Sequence, residues 1–394
     1  MSQTQLLSLK KEVDAKFDAF VNSNDESARV DALETTLRLS RALDKPADAI
    51  LKLSLSPSFY MAVKVGRDLD VFTTLAGSDN GSTIEQLAAP KKADPGFVER
   101  IMRALVAIGF ANELGPGLYS PSSLSHEMTR EVSINSVDIL FSEYMPTVLH
   151  SPTFFAKTNY QNPLDPNHGP IQHAFNTTLN TWDWFAQNPE ALARFNVYMK
   201  GARGDRPHWV DWFPVQQEVL DGAVNDASRP LLVDIAGGIG TDIAYFVKRF
   251  PDVQGRFILE DLPSVIDDIQ DLDGRIERVK HDYFTPQPIK GARIYYMRSS
   301  LHDWSDTSCT TILTHIASAM ERGYSKLLIE EFILPETDCR VLPVLYDMAV
   351  MFYCSGIERT RSTWEKLLAR CGFVIKKFWA PGGDAQGIIE AELQ

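Results

Sequence analysis

"LLVDIAGGIGTDIAYFVKRF", residues 231–250, is an apolar run broken by one acid, then a loop holding Gly237, Gly238 and Gly240, then apolar residues at helical spacing. The order reads as strand, tight turn and helix, the opening unit of an α/β sheet. Glycine suits such a loop because the backbone must turn sharply and let a ligand lie against it with no Cβ in the way. A dinucleotide fingerprint would put a third glycine at position 243, which is Ile243, and the G-K-[ST] of a phosphate-binding loop is absent. The loop therefore predicts a mononucleoside-type ligand near Asp234, Gly237, Gly238 and Gly240, with no pyrophosphate to cradle.

Downstream, "GRFILED", "RIERVKHDY", "ARIYYMRSS" and "KLLIEEFIL" repeat the pattern of apolar strands separated by helical segments. This predicts a Rossmann-like, doubly wound and mostly parallel sheet. "FVIKKFWA" and "GIIEAEL", with "PGGDAQ" between them, predict an antiparallel hairpin at its edge. Ligands of such sheets lie over the carboxyl ends of the strands. There Asp261, followed by Leu262, can accept from ribose hydroxyls, and Asp282 can accept from an exocyclic amine with Tyr283 or Phe284 packed on the ring. Arg298 closes the fourth strand, and "SSLHDWSD", residues 299–306, sets His302 just beyond it.

Upstream, residues 1 to about 50 are helical by pattern, with a stripe of Leu6, Leu7, Val13, Phe17 and Phe20 suited to docking on a partner chain. "STIEQLAA" has a helix-start pattern with Ser82 capping and Glu85 reaching back. "GFVERIMRALVAIG" predicts a helix burying Phe97, Ile101, Ala104, Leu105 and Ile108, and "NELGPGLYS" a hairpin wing. Helix, helix and wing form a winged-helix-like unit. The expected divisions are a helical dimerisation domain over 1–130, a helical connecting and substrate-pocket region over 131–220, and a ligand-binding catalytic domain over 221–394. Residues 150–215 are dense in aromatics, suited to core packing and, for some, to a pocket for a flat apolar molecule.

A formal charge of −13, from 39 basic and 52 acidic side chains, repels phosphate backbones and anionic lipid. Nucleic acid is accordingly not expected as a partner, and a winged-helix regulator is the least favoured reading. No stretch approaches the roughly 20 apolar residues that span a bilayer, and the N-terminus lacks the apolar core of a signal peptide. Cys309, Cys339, Cys354 and Cys371 form no C-x-x-C pair, which predicts neither a zinc site nor a disulfide framework. A cytoplasmic location is expected.

In order and spacing, "VDIAGGIG", "EDLPSVI", "KHDYF", "SLHDWSD", "EEFILPE" and "GIERTRSTWEKLLARCGF" resemble the S-adenosylmethionine-dependent O-methyltransferases of the caffeate and fungal polyketide type. The resemblance implies S-adenosylmethionine as cofactor, a homodimer whose subunits close each other's sites, and a small aromatic or polyketide-like acceptor. It implies His302 as base, with Glu331 and Glu358 holding its imidazole and no metal. Asp261 would bind ribose, Asp282 and Tyr283 adenine, and Arg298 another part of the cofactor. Met199, Phe195, Ser299, Met348, Met351 and Phe352 would line the acceptor pocket. Alternation along a strand sends Glu330 and Glu331 to opposite faces, so only one can meet His302. Glu358 also has Arg359 and Arg361 beside it as surface partners. Ala236 stands where the family often has glycine, and Ser299 where a large side chain is common. His126, His150, His168, His173 and His208 are expected to be exposed or to pack. A few fungal relatives keep the cofactor bound but catalyse dehydration or pericyclic rearrangement, and that is the alternative function.

Overall fold

The computed structural model describes residues 2–201, 203–204 and 206–394, with Lys200 described by its backbone only. The chain divides into two compact units that interleave in sequence. One holds Met1–Lys16, Leu33–Pro146 and Phe185–Gly204, the other Phe17–Ala32, Thr147–Trp184 and Asp205–Gln394. Residues 131–220, expected as a connecting region, are divided between these two units.

In the first unit, β1 (Ser82–Thr83), β2 (Ala111–Gly115) and β3 (Leu118–Pro121) form an antiparallel wing in the order β1-β3-β2. Helices Ile84–Ala88 and Pro95–Ala107 precede the hairpin. The cap of the first lies one residue later than expected. Thr83 Oγ1 accepts from Gln86 N at 3.4 Å, and Gln86 Oε1 accepts from Thr83 N at 2.8 Å. The second helix is also rotated from expectation. Asp94 caps it through Phe97 N at 2.8 Å, and the i, i+3, i+4, i+7 stripe that turns inward is Val98, Ile101, Met102 and Leu105. Phe97 is left exposed.

The second unit is built on seven strands: β4 (Pro230–Ile235), β5 (Arg256–Asp261), β6 (Ile276–Lys280), β7 (Ile294–Arg298), β8 (Lys326–Glu331), then β11 (Phe373–Trp379) and β12 (Gly387–Leu393). Their order is β11-β12-β8-β7-β4-β5-β6. All neighbours from β8 to β6 are parallel, while β12 runs antiparallel to β8 and β11 to β12. Short β9 (Ile333–Leu334) and β10 (Arg359–Thr360) pair in parallel beside the sheet. Alternation feeds two cores. Tyr295, Met297 and Ile329 face one layer with Leu313 and Trp364, while Ile294, Tyr296 and Leu328 face the other with Trp209 and Phe246. The chain leaves β4 towards β5 and β6 and returns to β7 on β4's other side. That reversal opens a crevice over the carboxyl ends of β4, β5 and β7, the place where such sheets bind ligands. Among the described residues no helix is long and apolar enough to cross a membrane.

Candidate active site

The glycine loop joins β4 to helix Thr241–Arg249 through three left-handed residues, Ala236 (φ 57°), Gly238 (61°) and Gly240 (81°). Only Ala236 departs from glycine, at a cost in strain of about 1–2 kcal/mol. A Cβ on Gly237 would enter the Asp234 carboxylate, whereas one on Gly238 would meet nothing and stand in the open crevice. Gly238 N donates to Asp261 Oδ2 at 2.8 Å and Leu262 N to Oδ1 at 2.7 Å. Each carboxylate oxygen keeps a lone pair for a ribose hydroxyl. Asp234 is buried at the end of β4, and its Oδ2 has no hydrogen-bond partner among the described residues. Burial, then repulsion from Asp242 and Asp261, raises its pKa well above the usual carboxylate range. Burial also raises that of Asp261, against the two backbone N–H donors.

Asp282 is exposed, and its Oδ1 accepts from Phe284 N at 2.9 Å in a local turn, which leaves Oδ2 for a ligand. The Tyr283 hydroxyl accepts from Trp304 Nε1 at 2.8 Å, and Phe284 meets the Trp304 ring edge-on at 4.8 Å. The Asp282–Phe284 segment is thereby tied to the loop that carries His302. An open glycine cradle, a ribose-type carboxylate and an orphaned buried acid fit an adenosyl cofactor with a cationic part.

His302 sits in a one-turn helix, Leu301–Asp303, after β7. Glu331, fully buried at the end of β8, directs Oε1 at the start of that turn, where it accepts from the N–H groups of Ser300 (3.1 Å), Leu301 (3.1 Å) and His302 (3.3 Å). Its Oε2 is 3.4 Å from His302 Nδ1. Glu358 is the closer partner, with Oε1 2.6 Å from Nδ1. Of the strand pair, Glu331 meets His302, while Glu330 faces the other core and accepts from the Tyr296 hydroxyl.

The Glu358 segment reaches the ring because Gly356 has no side chain. A Cβ there would overlap the carbonyl oxygen of His302, and Ile357 N donates to that same oxygen at 2.7 Å. Glu358 does not pair with Arg359 or Arg361 on the surface. Arg359 is buried and turns the other way, donating to Leu301 O (3.1 Å), Trp304 O (2.6 Å) and Asp306 Oδ1 (2.9 Å), so it staples both sides of the His302 turn. Gly356, which stands in "GIERT", carries no expectation from sequence, and Arg359 is expected there only as a surface partner of Glu358.

Asp303 is a third acid beside the ring, with Oδ1 3.6 Å from Nε2 and accepting from the Cys354 thiol at 3.2 Å. Burial pushes its pKa up to about 6. Burial alone would lower the pKa of His302, but Glu331, Glu358 and Asp303 together outweigh it and raise it well above the ordinary value. Burial brings Glu358 to about 7. Three acids around one imidazole thus hold a proton that isolated groups would lose near neutrality. His302, Glu331 and Glu358 also offer donor atoms within 4.8 Å of one another, as a cation site would, but the 2.6 Å separation of Nδ1 and Oε1 is that of a direct hydrogen bond.

The residues expected on the acceptor side fall in both compact units. Ser299 is left-handed (φ 46°), and its Oγ accepts from Gln386 Nε2 at 2.7 Å. On helix Val341–Cys354, Met348 is exposed, Met351 half-buried and Phe352 buried. Phe195, stacked on Phe185 at 4.8 Å, and the exposed Met199 belong to the other compact unit.

Residues 211–374 match the family model for an O-methyltransferase domain, and residues 51–131 that for an O-methyltransferase dimerisation domain. The O-methyltransferase asqD of Emericella nidulans is 36% identical over 337 residues, 85% of this chain and 87% of that protein. Demethylsterigmatocystin 6-O-methyltransferase of Aspergillus parasiticus is 33% identical over 345 residues, 87% of this chain and 88% of its own. A solved pericyclic reaction enzyme shares the fold with a TM-score of 0.89 at 25% identity, over the whole of both chains.

Proposed function

The chain belongs to the S-adenosylmethionine-dependent O-methyltransferases, and from that premise we propose that it methylates a hydroxyl of an aromatic or polyketide-like secondary metabolite with His302 as general base. The observation that carries this reading is the 2.6 Å contact between His302 Nδ1 and Glu358 Oε1. A carboxylate on Nδ1 fixes the tautomer in which Nε2 bears the lone pair, and it stabilises the imidazolium that forms when Nε2 takes a proton. A phenol becomes a strong nucleophile only as its proton leaves, and a base in reach contributes about 10²–10⁴-fold.

When bound, the cofactor supplies a methyl group activated by a positive sulfonium. Asp261 holds the ribose, Asp282 and Tyr283 the adenine, and the Gly237–Gly240 loop gives the backbone room to approach. The surrounding acids raise the proton affinity of His302, and a cation seated beside the ring would lower it again. Arg359 and Glu331 keep the turn in place, so the ring need not reorganise during the step. Ser299, Met348, Met351 and Phe352 line the acceptor side in this reading.

The active species is a homodimer in the cytosol. Support for the dimer comes from the dimerisation-domain match and from apolar side chains left exposed near the N-terminus, among them Leu7, Phe17, Ile50, Leu51, Leu53 and Leu55. The likeness to a pericyclic reaction enzyme supports a second reading, in which the cofactor stays intact and only its charge acts on the substrate. The test is incubation with methyl-labelled cofactor and a panel of phenolic acceptors, for wild type and His302→Ala. Label should move to product in wild type alone. Label that stays on the cofactor while a polyketide isomerises would give the second reading the case.

A further inference from the structure

Glu358 holds the His302 ring through one oxygen of its side chain. Its Oε1 is 2.6 Å from Nδ1, while Oε2 is buried without a hydrogen-bond partner among the described residues. The main chain that carries the carboxylate therefore sets its place against the ring. That main chain leaves helix Val341–Cys354 through the left-handed Ser355 (φ 57°), and Gly356 N donates back to Val350 O at 3.0 Å. Beyond the turn it is anchored residue by residue. Ile357 N donates to His302 O at 2.7 Å, and Glu358 N donates to Asp347 Oδ1 at 2.9 Å. Asp347 is half-buried on the helix just left, immediately before Met348. The helix expected to face the acceptor thus grips the backbone of the acid that grips the base.

Asp347 can act here in two separable ways. As an acceptor it satisfies the N–H of a buried residue, a donor that costs about 1–3 kcal/mol when left unmet. As a charge it bears on the proton affinity of the base. Burial is the main force raising the Glu358 pKa, His302 opposes it, and repulsion from Glu331 and then Asp347 adds to it. Asp303 and the Cys354 thiol are the other ionisable groups beside this pair, and the Arg359 guanidinium turns away to Leu301 O and Trp304 O. We propose that Asp347 is a positioning residue, which fixes Glu358 against His302 and so keys the base to the helix that carries Met348 and Met351. The inference rests on His302 and Glu358 as the base, and on no particular acceptor.

Two readouts test this, one of which needs no acceptor. A charge-assisted bond as short as 2.6 Å gives its proton a far-downfield magnetic resonance, assignable here by its loss in His302→Ala. The second readout is kcat with methyl-labelled cofactor and the best acceptor of the phenolic panel. Asp347→Leu and Asp347→Ala both remove the hydrogen-bond acceptor, and the leucine also keeps water from its place. Each should lose the resonance and lower kcat by about 10- to 100-fold, with KM and S-adenosylhomocysteine affinity within about threefold. That affinity, measured by calorimetry, reports folding, and the alanine variant carries the test if the leucine variant fails to fold. Asp347→Asn keeps an oxygen for Glu358 N without the charge. It should keep the resonance, recover most of the lost rate, and move the rise of kcat to lower pH, because losing a nearby negative charge lowers the proton affinity of the base. A resonance and rate that survive in the alanine and leucine variants, or that fail in the asparagine variant as they do in those, would overturn the positioning role. If the resonance follows the expected pattern but wild type methylates no acceptor, the methyl-transfer reading falls and the positioning of Glu358 stands. A wild type without the resonance would overturn the His302–Glu358 contact and this inference with it.

Discussion

Replacing Asp303 by asparagine tests the electrostatics of the base without knowledge of the acceptor. Burial sets the folded pKa of Asp303 at about 6, against 3.8 for the ordinary group. The folded chain therefore binds this proton more tightly than the unfolded chain. A raised carboxylate pKa means that stability is lost as pH rises, beginning near 4 and complete above about 6. A difference of roughly 2 units at about 1.4 kcal/mol each gives an upper bound of about 3 kcal/mol. Asparagine does not titrate, and its carbonyl oxygen can still accept from the Cys354 thiol that donates to Asp303 at 3.2 Å. The two proteins should be of similar stability near pH 3.5, below both pKa values. By pH 8 Asp303→Asn should be the more stable by about 1–3 kcal/mol. The assay is urea unfolding at several pH values and one fixed protein concentration, because dimer stability depends on concentration. A difference that stays flat with pH, or that moves in favour of wild type as pH rises, would refute the burial-raised proton affinity of Asp303 beside the imidazole.

Glu358→Gln should lower kcat by about 10²–10⁴-fold while S-adenosylhomocysteine affinity stays within about threefold; a kcat within threefold of wild type would remove Glu358 from the base. Gly356→Ala pushes a methyl group into the His302 carbonyl, and should abolish methyl transfer with cofactor binding retained, as measured by calorimetry beside a rate assay. The wild-type kcat should rise with pH through neutrality, because the raised His302 and Glu358 groups must lose their proton before Nε2 can act; a rate that falls between pH 7 and 9 would contradict the base. Ala236→Gly relieves a left-handed alanine and should raise unfolding stability by up to about 1 kcal/mol, the strain relief less the added entropy of the unfolded chain.

Much of the catalytic unit was legible because its signals are local. A glycine loop between an apolar strand and an amphipathic helix needs no distant partner to be read, and the alternation of Glu330 and Glu331 follows from the period of a strand. Legibility failed where a neighbour far along the chain decides. Ser82 and Thr83 both pair with β3, at Tyr119 and Leu118, so the short strand runs one residue further than the local pattern suggests and the cap falls on Thr83. Val98, not Phe97, turns inward because the cap at Asp94 fixes the helix phase. Asp303 carries no sequence signal for its raised proton affinity, since that comes chiefly from its burial beside His302 on folding.

From sequence alone came the sheet, its ligand edge and the kinds of residue along it: glycines for a close approach, acids after strands, a histidine after the fourth. Periodicity and turn chemistry act over a few residues and survive in the one-dimensional record. The tertiary structure decided which acid touches the ring and which holds the turn. Glu331 spends one oxygen on three backbone N–H groups, while Glu358, brought in by the β9–β10 pairing and the bare Cα of Gly356, takes the 2.6 Å contact. Distances of that kind are set by packing between segments some 30 to 60 residues apart, and a sequence read element by element contains no term for them.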